Sequence, residues 1–161
     1  MTVGPRIVFV RFLTRKSPKV VPWVNHSYRV IGAPVALDET DNDSDQGLVV
    51  WQLVSANNRQ LVRGAELHST YDAAREHAAH VVESAAHLTV TLVSETERGL
   101  YGWYMSLDDV PAAICARWYL TERDRRHAID LAARSIPVAM LHSGARLTDL
   151  SLMAGDRVPL A

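Results

Sequence analysis

One cysteine, Cys115, stands alone in 161 residues, which excludes an intramolecular disulfide and any multi-cysteine zinc site. Long apolar runs are missing too. Stretches such as Ile7-Val8-Phe9-Val10 and Val49-Val50-Trp51 fall far below the roughly 18 to 20 residues that a membrane-crossing helix needs, so no membrane span is expected. Met1 to Arg6 lacks a basic stretch leading into an apolar segment and a small-residue cleavage site, and a cytoplasmic protein is predicted. Neither sign of charge dominates, since 17 Lys and Arg face 18 Asp and Glu; such a balance offers little long-range steering towards a polyanion. The content of 22% charged and 48% apolar residues is that of an ordinary globular chain and disfavours disorder, collagen, coiled coil and disulfide scaffolds. The length suits one compact core or two small units sharing one.

Charge is nevertheless uneven along the chain. Arg6, Arg11, Arg15, Lys16, Lys19 and Arg29 precede any acid, whereas Asp38, Glu39, Asp41, Asp43 and Asp45 follow with no base among them. A basic segment can track phosphates, pair with an acidic loop or face solvent. Arg11, Arg15, Lys16 and Lys19 are therefore the candidate nucleic-acid contacts.

Alternation and β-branched content predict strands over Arg6–Leu13 and, interrupted by Gly32 and Pro34, over Tyr28–Leu37. The acidic run reads as a loop. Gly47–Ser55 and Gln60–Leu67 read as a hairpin around Ala56-Asn57-Asn58-Arg59, because Asn tolerates positive φ. Ser69 or Thr70 can cap a helix running to about Ala86, with Ala74, Ala78, Val81, Val82 and Ala85 as its apolar stripe. Strands at Leu88–Val93, Leu100–Leu107 and Val110–Leu120 follow. Thr121 caps a second helix to about Ser135, Pro137 ends it, and Val138–Leu141 reads as a closing strand.

The pattern repeats. Trp51-Gln52-Leu53 aligns with Trp103-Tyr104-Met105 at an offset of 52; beyond a one-residue shortening at the turn, Asn57-Asn58 meets Asp108-Asp109, Thr70 meets Thr121 and Ala78 meets Ile129 at an offset of 51. Each copy reads strand, strand, strand, helix. The predicted fold is α+β: two tandem βββα units with an antiparallel sheet and one helix each, plus an N-terminal strand extension. The expected boundaries are 1–87 for the extension and first unit, 88–145 for the second unit and 146–161 for a C-terminal tail.

Trp51-Gln52-Leu53-Val54-Ser55-Ala56-Asn57-Asn58, followed by Leu61-Val62, Glu66, Ser69-Thr70, Ala78 and Val81, resembles the YegP-like repeat family over about residues 49–86, and residues 100–136 resemble it more weakly. The resemblance implies small, tandemly duplicated α+β modules of uncharacterised function, with no catalytic residues to carry over. Asn58 stands where the family prefers Gly, and His68 near a usual Tyr.

Chemistry-bearing residues are sparse. Glu76, His77 and His80 share a helix, and two imidazoles three apart could share a metal ion only with ligands from elsewhere, so a solvated helix face is the expectation. Asp41-x-Asp43-x-Asp45 mimics the start of a calcium loop but has Gln46 at the glycine position and Gln52 where a bidentate acid belongs. Cys115, flanked by Ile114, Ala116 and Trp118, reads as a small strand hydrophobe rather than a nucleophile. Trp51 and Trp103 read as core anchors under the helices; the rival reading has them stacking bases, with Arg59, Arg63 and Arg117 supplying charge. Arg123, Arg126 and Arg134, diluted by Glu122, Asp124 and Asp130, read as an exposed helix face. No cofactor, metal or catalytic residue is expected. The functional expectation is a non-enzymatic binding scaffold that self-associates as a homodimer or binds another protein. Each helix would cover one sheet face and leave the other to a partner through Tyr28, Tyr101 and Trp118. The alternative is a nucleic-acid-binding module using the basic N-terminus.

Overall fold

A computed structural model describes residues 4–14, 17–34, 36–37 and 47–147. The chain runs β1 (Arg6–Phe12), α1 (Val20–Ile31), β2 (Ala36–Leu37), β3 (Leu48–Val54), β4 (Gln60–Gly64), β5 (Glu66–Leu67), α2 (Tyr71–Glu83), β6 (Thr89–Glu95), β7 (Leu100–Leu107), β8 (Val110–Cys115), α3 (Glu122–Ser135) and β9 (Met140–Leu147). Single 3-10 turns sit at Ala85–His87 and Ile136–Val138. The class is α+β, with seven strands in one sheet of order β6-β7-β8-β4-β3-β1-β9 and a separate short β2–β5 pair. Segments on either side of residue 88 meet inside that sheet, where β4 pairs with β8.

The all-antiparallel expectation is corrected at one edge. β9 lies parallel to β1, and β2 is parallel to β5. β1 and β9 are separated in sequence by the rest of the fold, and only so long a connection lets two neighbouring strands run in the same direction, which a tight hairpin cannot do. The strand expected at Val110–Leu120 ends at Cys115; beyond it Tyr119 makes only an isolated bridge to Tyr101.

Residues Tyr28–Ile31, expected in a strand, belong instead to α1. Its buried residues, Val20, Trp23, Ser27 and Val30, recur at spacings of three and four, which is one face of a helix. Pro22 lies in the first turn, where a missing N–H costs no helical bond. Gly32, at φ 81°, closes the helix in the left-handed region and donates its N–H to Tyr28 O at 2.7 Å.

Alternation along β3 sets the layers. Val49, Trp51 and Leu53 cluster with Ala74, Ala78 and Val81 of α2 on one face; Leu48 and Val50 cluster with Phe12, Val20 and Trp23 on the other. α3 adds Ala132, and the 3-10 turn that follows it adds Ile136, to the larger cluster. α1 therefore packs on the face opposite α2, and the expectation of a sheet face left wholly open is corrected. It crosses from Phe12 and Leu48 past Arg63 and Cys115 to Glu95, leaving the Arg6 and Val54 end of that face uncovered by a helix. Thr70 and Thr121 cap α2 and α3, accepting from Ala73 N at 3.1 Å and Asp124 N at 3.0 Å. The tight turns carry positive φ at Asn58 (65°), Asp108 (50°) and Asp109 (67°), as the amide and carboxylate side chains there allow.

Candidate functional site

Three groupings of polar chemistry emerge from these layers. The first lies between β3 and α2. Burying an indole leaves its N–H in need of an acceptor, and Trp51 Nε1 donates to His77 Nδ1 at 2.9 Å. An accepting Nδ1 places the neutral ring's proton on Nε2, which lies 3.3 Å from Glu66 Oε2. The His68 ring stands 5.2 Å from that of His77. Gly64 makes the indole's position possible: a Cβ there would lie 2.4 Å from Trp51 Nε1. His77 is thus a half-buried strut between helix and sheet, correcting the solvated-face expectation, while Glu76 and His80 are exposed. Among the described residues no group of three or more His, Cys, Asp or Glu is placed to hold a metal ion.

The second grouping lies under α1. The Arg63 guanidinium sits 4.2 Å from the Trp23 ring centroid, and its Nε and Nη1 are buried without a hydrogen-bond partner among the described residues. Burial lowers its pKa to about 10, which still leaves it a cation at neutral pH. His26 Nε2 donates to Cys115 O at 2.9 Å. Burial holds the His26 pKa below its ordinary value, the carbonyl contact opposes this, and the Arg63 and Arg29 charges reinforce it. Cys115 is fully buried, its thiol pushed up to about 11 by desolvation, and its sulfur accepts from Trp103 N at 3.5 Å. A thiol this buried and this weakly acidic is a poor nucleophile. Further along, Trp118 packs edge-on to His26 and under Arg29, whose Nε and Nη2 bind Glu95 at 3.0 and 2.5 Å. Gly102 leaves room for the Trp118 ring, which would stand 2.8 Å from a Cβ there.

The third is surface. At the end of the sheet that α1 leaves uncovered, Val8, Val10 and Val54 floor a cavity of about 690 Å³ rimmed by Arg6, Gln52, Asn58, Gln60 and His142. Arg6 donates to Ser55 O and to Asn58 Oδ1. Amides, one guanidinium and the His142 imidazole can bind a polar ligand; Ser143 lines the cavity as well, and among the described residues no carboxylate does. The outermost strand, β6, is exposed along most of its length, with Val90 and Leu92 at 41% and 58%.

The residues singled out from sequence scatter across these regions. Trp51 and Trp103 are both 0% exposed, so neither can stack a base from solvent. Arg11 and Lys19 are half-buried; Arg15, Lys16 and the acids Asp38 to Asp45 lie outside the described residues. Arg59 and Arg117 are exposed, the latter over the Tyr119 ring. Tyr28 is 53% exposed on α1, whereas Trp118 is half-buried against that helix and Tyr101 lies under Arg125 of α3 at 5.1 Å. They do not form one patch. Arg123, Arg126 and Arg134 are exposed as expected, while Arg125 is buried, donating to Val93 O and Gly102 O at 3.1 and 3.4 Å. Arg125, His26 and Trp23 were not singled out from sequence, and Glu66 was named only within the repeat motif; the unmet N–H of Trp51 was the one signal that could have led to an acceptor on α2.

No family model and no curated protein matches the chain. Among solved structures it is similar to the solution NMR structure of yegP from E. coli, a protein of unknown function, at 12% identity over 67% of this chain and 86% of that chain, with a TM-score of 0.48. That protein gives its name to the family which Trp51 to Val81 resembles.

Proposed function

We propose that the chain is a non-catalytic interaction scaffold, built from two βββα units and self-associating through its sheet. The observation that carries this is a contrast. Four side chains able to do chemistry, His77, His26, Cys115 and Arg125, are held inside by defined partners, while the outer strand β6 presents Val90 and Leu92 to solvent. Internal bonding of this kind supports rigidity rather than turnover.

Duplication is supported by features that recur 51 residues apart: the left-handed Asn58 and Asp109, the capping Thr70 and Thr121, and the 3-10 turns that begin at Ala85 and Ile136. The isolated bridges Val49–His68 and Tyr101–Tyr119 fall at matching places. Under this reading β1, β3, β4 and α2 correspond to β6, β7, β8 and α3, with β4 and β8 adjacent at the middle of the sheet. α1 is then an insertion between the first two strands of the first unit.

Light scattering over a concentration series tests the self-association: a mass that rises from one chain to two supports it, and a constant single-chain mass overturns it. A nucleic-acid role draws on less, because Arg6 is engaged and Arg11 and Lys19 are half-buried. A salt-dependent gel shift abolished by charge reversal of Arg11, Arg15 and Lys16 would favour that role instead.

A further inference from the structure

We infer that two copies of the chain join edge to edge through β6, antiparallel, with Thr91 opposite Thr91 of the second copy, so that two seven-stranded sheets become one. This rests on the self-association proposed above and specifies its surface and register.

An edge strand exposes a row of unpaired N–H and C=O groups, and proteins ordinarily guard it with lysines, proline, a bulge or a covering element. β6 reads Thr89-Val90-Thr91-Leu92-Val93-Ser94-Glu95 and has no such guard among the described residues. Its pairing with β7 runs without register shift from Thr89↔Ser106 to Glu95↔Leu100, so the strand is regular enough to template another. The opposite edge differs: β9 carries Gly144 at φ 76°, and its pairing with β1 shifts register between Ile7 and Phe9. If β1 and β6 are equivalent strands of two units, the first is covered by β9 and the second has no strand beside its outer edge among the described residues.

The strand is also its own complement. Val90 and Leu92 pair with Met105 and Trp103 of β7, both buried on the helix-covered face, and so share that face themselves. A twofold axis through Thr91, perpendicular to the sheet, keeps like faces together and sets Val90 of each copy beside Leu92 of the other. Two symmetric apolar pairs form, each of the kind that stabilises neighbouring strands. No charged residue lies between Leu88 and Ser94, so the axis opposes no like charges. Glu95, the one acid on the strand, is held by Arg29 of its own chain. A partner with different chemistry gains nothing specific from this neutral edge, whereas a second copy fills both exposed side chains at once.

Site-directed cross-linking reads the register directly. Across a non-hydrogen-bonded antiparallel pair the Cα atoms are about 4.5 Å apart, within the span a disulfide bridges. Under mild oxidation Thr91→Cys is expected to give a covalent dimer on a non-reducing gel, and Thr89→Cys, whose copies would lie four strand positions apart, to stay monomeric. The native protein is the control, its single thiol being buried. Leu92→Lys, at a site exposed enough to keep the fold, is expected to weaken the dimer at least about tenfold in sedimentation equilibrium. A dimeric native mass with no Thr91→Cys cross-link, or with equal cross-linking at residue 89, overturns the β6 register and leaves self-association standing. A native protein that stays monomeric overturns both.

Discussion

Replacing Gly64 by alanine is expected to destabilise the fold by about 3 kcal/mol, although alanine is normally the better strand residue by about 0.5–1 kcal/mol. The added Cβ would lie 2.4, 2.6 and 2.8 Å from Nε1, Cε2 and Cδ1 of Trp51, where carbon contacts settle near 3.5–4.0 Å. The indole is 0% exposed and packed beneath α2, so it cannot swing into solvent. Forcing an extra methyl into such a site costs about 1–3 kcal/mol. Moving the ring also stretches the 2.9 Å bond to His77, and a buried donor left unmet costs about 1–3 kcal/mol more. Equilibrium urea unfolding followed by circular dichroism gives the difference. Repeating it in a Trp51→Phe background, which withdraws the Nε1 edge, is expected to remove most of the penalty. A cost under about 1 kcal/mol, or one unchanged by Trp51→Phe, would refute the steric account.

The buried thiol of Cys115, raised to about 11, is expected to resist a disulfide reagent at pH 8 in the native protein and react at once in denaturant; fast native reaction would show the strand to be open. His26 binds its proton less readily folded than unfolded. Stability is therefore complete above the ordinary value of 6.5 and falls as pH drops below it, because the unfolded chain then takes up the proton first. Urea midpoints at pH 7.5 and 5.5 should show that loss, and His26→Gln should reduce it; an equal loss in the variant would assign the slope to other groups. Thr70→Ala and Thr121→Ala are each expected to cost about 1 kcal/mol, since each removes one N-cap bond of matching geometry. A cost confined to one of them, measured by thermal unfolding, would separate the two caps energetically.

The parts of the fold that could be read from sequence are those encoded locally. α2 and α3 announced themselves because their apolar residues recur at three and four behind a capping threonine, and the turns did so because Asn58 and Asp109 tolerate the left-handed region. α1 was hidden by composition: Val20, Val21, Pro22 and Val24 favour extended chain, and only packing of Val20, Trp23 and Val30 on the sheet overrides that preference. The parallel β1–β9 pair joins residues more than 130 apart, and no short-range pattern encodes such a meeting. Missing α1 also concealed the second polar grouping, because Arg63 and Cys115 meet their partners Trp23 and His26 only once that helix is laid across them. His77 was misread for the complementary reason. It flanks the Ala74, Ala78 and Val81 stripe closely enough to reach inward, where Trp51 on a distant strand requires an acceptor.

If the chain is built from two units as proposed, their differences are as telling as their likenesses. Trp51 and Trp103 hold matching places and are equally buried, yet Trp51 Nε1 has His77 as acceptor whereas Trp103 Nε1 has no partner among the described residues. At an offset of 51, His77 corresponds to Ala128, which cannot accept a hydrogen bond, and Glu66 to Arg117. On that reading α3 is fixed differently from α2: Arg125, at the position that corresponds to Ala74, reaches from α3 to the carbonyls of Val93 and Gly102 and joins β6 to β7. A charge-assisted bond to two strands is stronger than the neutral bond from one indole, so it can offset the unmet N–H of Trp103. It also ties β6 into the sheet where, among the described residues, no strand lies on its outer side. The same guanidinium that pins α3 ties the edge strand to β7, and under the proposed self-association a regular edge with no charge between Leu88 and Ser94 is what a second copy needs.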